Sequence, residues 1–223
     1  DPDKIPLAEA DGDGVIQSFL AETARTLGLW IVGGTQPLRS PEEAHVYNTS
    51  MAYAPTGERV ARYDKIHLFR FDNGNEQFDE RRVITPGAQP VLFDLPSRDG
   101  HNWRVGMSVC YDLRFPELYR ALAREGADLL LVPSAFTHTT GSAHWEVLLR
   151  ARAVENLAWV VAPAQGGRHE NGRRTWGQSL VAGPWGDVIA QQAEGEGVVL
   201  ADIDAAQVAQ GRARLPALSH RVL

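Results

Sequence analysis

The strongest constraint on the fold is a unit that recurs along the chain: an amphipathic helix, a glycine, then a short apolar strand. The first copy sets Val15, Ile16, Phe19, Leu20, Ala24 and Leu27 at helical spacing, stops at Gly28 and continues as Leu29-Trp30-Ile31-Val32. A second opens at Pro116, lines one face with Leu118, Tyr119, Leu122 and Ala123, and stops at Gly126 before Leu129-Leu130-Leu131-Val132. A longer helix is predicted from about Ala143 to Glu155, ahead of Trp159-Val160-Val161. Two hairpins are interleaved. Pro55-Thr56-Gly57-Glu58 joins extended segments around Tyr47–Tyr53 and Val60–Tyr63, and Asp99-Gly100 joins Val91-Leu92-Phe93 to Trp103–Val109. Helices alternating with strands, plus added hairpins, predict an α/β layered domain. One element is out of order. The chain reaches its first helix at Val15 before any strand, which reads either as an ordinary ragged N-terminus or as the loss of a strand upstream of Asp1 that would supply the centre of a sheet.

The rest of the composition narrows the class. A chain of 223 residues is expected to form one α/β domain over 1–223. The net charge of −6, with no Lys/Arg run, weighs against a nucleic-acid partner. No apolar stretch nears the ~18 residues of a membrane span. The acidic, glycine-rich opening at 1–14 is unlike a secretory signal. The one cysteine cannot form an internal disulfide, which fits a reducing compartment. The expectation is a soluble cytoplasmic protein. Seven histidines are scattered without a His-x-x-x-His or cysteine pair at zinc spacing, so no metal is expected.

That cysteine, Cys110, follows the strand-like Trp103–Val109 directly and precedes Tyr111-Asp112-Leu113-Arg114-Phe115 and the helix at Pro116. A thiol on a sharp strand-to-helix turn is lifted out of the sheet end, as at a nucleophile elbow. Many unpaired cysteines are only small buried hydrophobes. Here the polar run Tyr-Asp-x-Arg-Phe-Pro-Glu is too specific for a plain core segment. A thiol with an ordinary pKa of about 8.5 needs a base or a cation nearby to act at neutral pH. His138 and His144 offer a Cys–His arrangement. The competing cation is Lys65, set in the otherwise apolar and aromatic stretch Tyr63-Asp64-Lys65-Ile66-His67-Leu68-Phe69, unless it snorkels to solvent from a strand end.

Several segments together resemble the carbon-nitrogen hydrolase (nitrilase) superfamily. They are Tyr63–Phe69, Phe78-Asp79-Glu80 with Pro86-Gly87, Ser108–Leu118, Pro133-Ser134-Ala135-Phe136 with Thr140-Gly141, Ala143-His144-Trp145-Glu146, Arg150–Asn156, and Gly183-Pro184-Trp185-Gly186. They run in the family's order over essentially the whole chain. Pro-Ser-Ala-Phe, Leu-Leu-Arg-Ala-Arg-Ala and Ala-Gln-Gly-Gly-Arg-His at 164–169 are most similar to the Nit-type branch of deaminated-glutathione amidases.

The resemblance implies a nitrilase-type α-β-β-α sandwich that lacks its N-terminal strand in this chain, and a Glu-Lys-Cys mechanism without a cofactor. Cys110 would form a thioester, Lys65 would stabilise the oxyanion, and Glu80 would match a second family glutamate that holds lysine and substrate. Without the motif, Glu80 would read as a solvated carboxylate among Glu76, Asp79, Arg81 and Arg82. The family's general base, in an apolar-Pro-Glu element, carries over to no residue here; neither Pro41-Glu42 nor Glu9 has the position. The resemblance therefore implies roughly 40 further residues upstream. Tyr111, Arg114, Phe136 and Thr137 are candidates for the substrate wall, although Arg114 could instead tie down the elbow loop. Glu146, Arg150, Arg152 and Glu155 are expected to pair among themselves, and Glu117 to sit in a first helical turn. The expected substrate is a small carboxylate-bearing omega-amide, with two alternatives: an omega-amidase for 2-oxo-dicarboxylate amides, or an inactive binding protein on the same fold. A homodimer or larger assembly is expected, with the 143–155 helix and the tail from Pro216 through His220 to Leu223 as contacts.

Overall fold

In the computed structural model, which describes residues 2–222, Val15–Leu27 form helix α1 and Gly28 ends it in the left-handed conformation, donating its N–H to the Ala24 carbonyl. No side chain caps α1 from its own N-cap position. The Glu9 carboxylate does so instead, accepting from the N–H groups of Ile16 (2.6 Å) and Gln17 (3.2 Å). Burial raises the Glu9 pKa, but these bonds, with those from the Gln17 and Gln36 side chains, outweigh it and hold the carboxyl below its usual range. The helix buries a narrower face than its apolar spacing predicts. Leu20, Ala21 and Ala24 pack with Leu38, Met51 and Tyr53, whereas Val15, Phe19 and Leu27 stay exposed.

The chain divides into two compact units, Asp1–Val91 and Leu92–Leu223. In the first, β1 (Ile31–Val32), β2 (Gln36–Arg39) and β4 (Arg59–Asp64) all pair antiparallel with β3 (Val46–Tyr53). The hairpin turn at 55–58 lies where the sequence puts it. The first strand is shorter than expected: Leu29 and Trp30 are outside it, and the Leu29 N–H instead bonds back to Ala24. A small hairpin of β5 (Arg70–Asp72) and β6 (Gln77–Asp79) leads into a 3-10 turn, Glu80–Arg82.

The second unit is built on one six-stranded sheet. Its strands are β7 (Leu92–Pro96), β8 (Asn102–Met107), β9 (Leu129–Leu131), β10 (Trp159–Ala162), β13 (Ser179–Ala182) and β14 (Val188–Gln192), in the order β14-β13-β10-β9-β8-β7. β8, β9 and β10 are parallel neighbours, so their carboxyl ends share one edge of the sheet. A separate hairpin comprises β11 (Gly166–Arg168) and β12 (Arg174–Trp176). Helix α2 (Pro116–Arg124) buries Leu118, Tyr119 and Leu122, and carries Glu117 in its first turn. Helix α3 (His138–Asn156) buries Trp145, Leu149, Arg152 and Ala153, one stripe at i, i+4, i+7 and i+8. Helix α4 (Ala205–Arg214) follows, capped by the Asp204 carboxylate on the Ala206 N–H.

Helix α3 starts five residues earlier than the predicted Ala143. Thr139, Thr140 and Gly141 are poor helix formers, yet the position of Gly141 is fixed by packing. A Cβ there would lie 2.3 Å from the Cβ of Trp176, so glycine is what lets β12 close on the first turn of α3. The expected contact residue Leu223 lies outside the described residues. Among the described residues no helix is long and apolar enough to cross a membrane.

Candidate active site

In the first unit the site element is a buried cation. Lys65 follows β4 directly, and its backbone is fixed on both sides: its N–H donates to Asn48 O at 2.9 Å and its carbonyl accepts from Gly87 N at 2.8 Å. The second bond requires glycine, because a Cβ at position 87 would fall 2.0 Å from the Asp64 carbonyl oxygen. The Lys65 side chain is fully buried, so it does not snorkel. Its Nζ donates to Glu80 Oε2 at 2.5 Å. The same oxygen accepts from the Phe69 N–H at 2.7 Å, and the Glu80 N–H returns a bond to Phe69 O at 3.0 Å. Glu80 is thus anchored by backbone before it meets the lysine. Arg81 and Arg82, beside it, are exposed. The solvated reading suits those two neighbours and not Glu80.

In the second unit the site element is a strained turn. β8 ends at Met107, and Cys110 adopts a left-handed φ of 52° at the head of a 3-10 turn, Cys110–Arg114. A residue with a Cβ pays roughly 1–2 kcal/mol for that conformation, so surrounding contacts must impose it. They do. Cys110 N donates to Pro133 O (3.0 Å), and Asp112 Oδ2 accepts from Val109 N (2.8 Å). Ser108 Oγ donates to Leu131 O (2.7 Å) and lies 2.7 Å from the Tyr119 hydroxyl. Burial pushes the Tyr119 hydroxyl pKa upward, against the opposing effect of the Ser108 bond.

Behind this turn lies a buried arginine. Arg152, 4% exposed, donates Nε to Leu113 O at 3.0 Å, lies over the Tyr119 ring at 5.4 Å and pairs with Glu155 at 2.8 Å. The expected pairing of Arg150 with Glu146 is present at 3.5 Å. The sequence marks Arg152 as part of an ion-pair network but gives no signal for its bond to Leu113, a residue 39 positions earlier.

The four wall candidates all lie in this unit. The Arg114 guanidinium sits 5.8 Å from the ring centroids of both Tyr111 and Phe136, bringing those three together, and bonds His144 Nδ1 at 2.9 Å. Phe136 and Thr137 are buried, at 4% and 2% exposure; the Thr137 hydroxyl is shared with Thr140 at 2.7 Å. His138 packs edge-on against Trp176 at 5.2 Å. Both histidines considered as bases thus have side-chain partners within the same unit.

A family model for carbon-nitrogen hydrolases matches residues 1–213. The chain belongs to the carbon-nitrogen hydrolase family. Membership makes carbon–nitrogen bond hydrolysis its reaction class. The chain is 41% identical to the deaminated glutathione amidase of Synechocystis sp. over 92% of its own length and 75% of the relative's. It is 38% identical to the human omega-amidase NIT2 over 88% of its length and 69% of the relative's. Among solved structures, the C. elegans NitFhit protein superposes with a TM-score of 0.84 at 39% identity, covering 92% of this chain and 50% of that one. The nitrilase-type α/β fold expected from the motifs is borne out by these likenesses.

Proposed function

We propose that this carbon-nitrogen hydrolase is a thiol amidase in which Cys110 attacks the carboxamide carbon of a small carboxylate-bearing omega-amide. The observation that carries this reading is the left-handed φ of 52° at Cys110, held at the end of a parallel strand by its own N–H and by the anchors around it. Conformational cost at one polar residue on a strand-to-helix turn is a mark of a nucleophile elbow. The Cys110 sulfur bonds to the carbonyl carbon, the C–N bond breaks, and the thiol proton ends on the departing amine. Water then adds to the thioester, the S–C bond breaks, and the sulfur recovers a proton as the acid leaves. Lys65 donates a hydrogen bond from its Nζ to the oxyanion of both tetrahedral states, and Glu80 holds that Nζ in position. Tyr111 and Arg114 contact the substrate, with Phe136 and Thr137 supporting them from the buried side.

The relatives named as deaminated glutathione amidases support a substrate of that class, and those named omega-amidases support a shorter one that releases ammonia. The chain acts as a soluble cytoplasmic enzyme, as a homodimer, with no cofactor. Lys65→Ala tests the arrangement: kcat for amide hydrolysis should fall at least ~100-fold, the scale for losing an oxyanion partner. A loss below threefold would remove Lys65 from the mechanism.

A further inference from the structure

The segment that leaves β9 is tied down carbonyl by carbonyl. Pro133 O accepts from Cys110 N (3.0 Å), Ser134 O from Gln165 N (2.9 Å) and Ala135 O from Arg173 Nη2 (3.0 Å). Phe136 O accepts from Trp176 N (2.9 Å) and Thr137 O from Gly141 N (2.8 Å). Four of these five donors are backbone groups. The fifth is a guanidinium from 38 positions further along the chain.

That side-chain bond falls at a joint. Pro133 and Ser134 go with the nucleophile: the first holds the Cys110 N–H, and the second is pinned past the end of β10 through Pro163 O and Gln165 N. Phe136 and Thr137 go with the β11–β12 hairpin, through Trp176 N and the bridge between Thr137 and Thr175. Ala135 lies between the two halves. Arg173 has a fixed base from which to hold it. The Arg173 N–H donates to Asn171 Oδ1 at 3.0 Å and its carbonyl accepts from His169 N at 2.8 Å, closing the hairpin turn around Gly172, which takes a left-handed φ of 82°. Side chains alternate along a strand, so Arg173 shares a face with the buried Thr175, whereas Arg174 belongs to the other face and is exposed.

We propose that Arg173 is a positioning residue: by holding Ala135 O it keeps Phe136 and Thr137, the buried support of the substrate wall, in register with Cys110. This rests on the amidase reading above and deepens it. A misplacement of ~1 Å far from the chemistry can cost about 100-fold in rate. Loss of the Ala135 bond therefore misaligns the wall while the thiol itself stays intact.

The test compares turnover with thiol reactivity in the full chain. Turnover is followed with two amides of the 5-carboxyl of 2-oxoglutarate, one of ammonia and one of alanylglycine. Reactivity is the rate at which iodoacetamide alkylates Cys110, the chain's one cysteine, a reaction that needs no wall. Arg173→Met keeps an apolar stem and removes the donor. It should lower kcat ~10-fold or more while the alkylation rate changes by less than about threefold. Arg173→Lys should regain at least about threefold of the lost kcat, because an ammonium can make a single N–H···O bond. Arg174→Gln removes a neighbouring charge from the opposite face and should leave kcat within about twofold of the unaltered chain. An unchanged kcat in Arg173→Met overturns the proposal. So does a parallel fall in kcat and alkylation, which would make Arg173 a support of the fold alone. An Arg173→Lys chain no better than Arg173→Met, or an equal loss in Arg174→Gln, overturns it as well. If the unaltered chain turns over and Arg173→Met does so equally fast, the positioning role fails alone. If the unaltered chain hydrolyses neither amide, the amidase reading fails with it.

Discussion

Lys65 and Cys110, the two residues proposed to act on the substrate, are held in opposite ways. Around Lys65 the backbone is relaxed and the work is electrostatic: a fully buried ammonium is held by one carboxylate, itself fixed by the Phe69 N–H. Around Cys110 the backbone is strained, and hydrogen bonds and packing hold it: Ser108, Asp112, Tyr119 and Arg152 bond carbonyls, an N–H and one another so that the turn cannot relax. The difference teaches where each site is fragile. Among the described residues the lysine side chain is held by Glu80, whereas the load at the cysteine is spread over several groups.

The largest effect should therefore come from removing that carboxylate. Glu80→Ala leaves a buried cation uncompensated, and breaking such a pair costs about 3 kcal/mol or more. Urea unfolding checks this, and a loss under ~1 kcal/mol would mean that Lys65 finds another acceptor and that the contrast is false. A smaller effect of opposite sign is expected at the elbow. Cys110→Gly should be more stable than Cys110→Ala by about 1 kcal/mol, because glycine enters the left-handed region without penalty. An alanine variant as stable as the glycine one would show that the turn relaxes and stores nothing.

Much of this was legible in the residues, for reasons that differ by element. α1 and its Gly28 stop, α2 from Pro116, and both hairpin turns follow from apolar spacing and turn chemistry, which are local. The start of α3 was not legible, because what overrides the weak propensity of Thr139-Thr140-Gly141 is Trp176, 35 residues downstream. Exposure of Val15, Phe19 and Leu27 was hidden for a related reason: periodicity marks an apolar face but not how much of it a small sheet covers. Cys110 stood out through its polar flank and Lys65 through its apolar one. Whether Lys65 snorkels or is buried could not be read from the flank, since that depends on Glu80, fifteen residues away across a hairpin. Arg152 shows the remaining limit. Its i,i+3 pair with Glu155 lies in the sequence, whereas its grip on Leu113 exists only after α3 has packed on the elbow.

In the proposed chemistry the carbonyl carbon of the substrate becomes bonded to Cys110. That step is tested most directly by mixing the full chain with an amide of 2-oxoglutarate, quenching in acid within the first turnovers, and mapping the added mass by peptide mass spectrometry. The acyl mass should appear on the peptide containing Cys110, and should be absent from a Cys110→Ala chain that has also lost turnover. Hydrolysis that continues in Cys110→Ala, or an acyl mass on any other residue, would contradict the account.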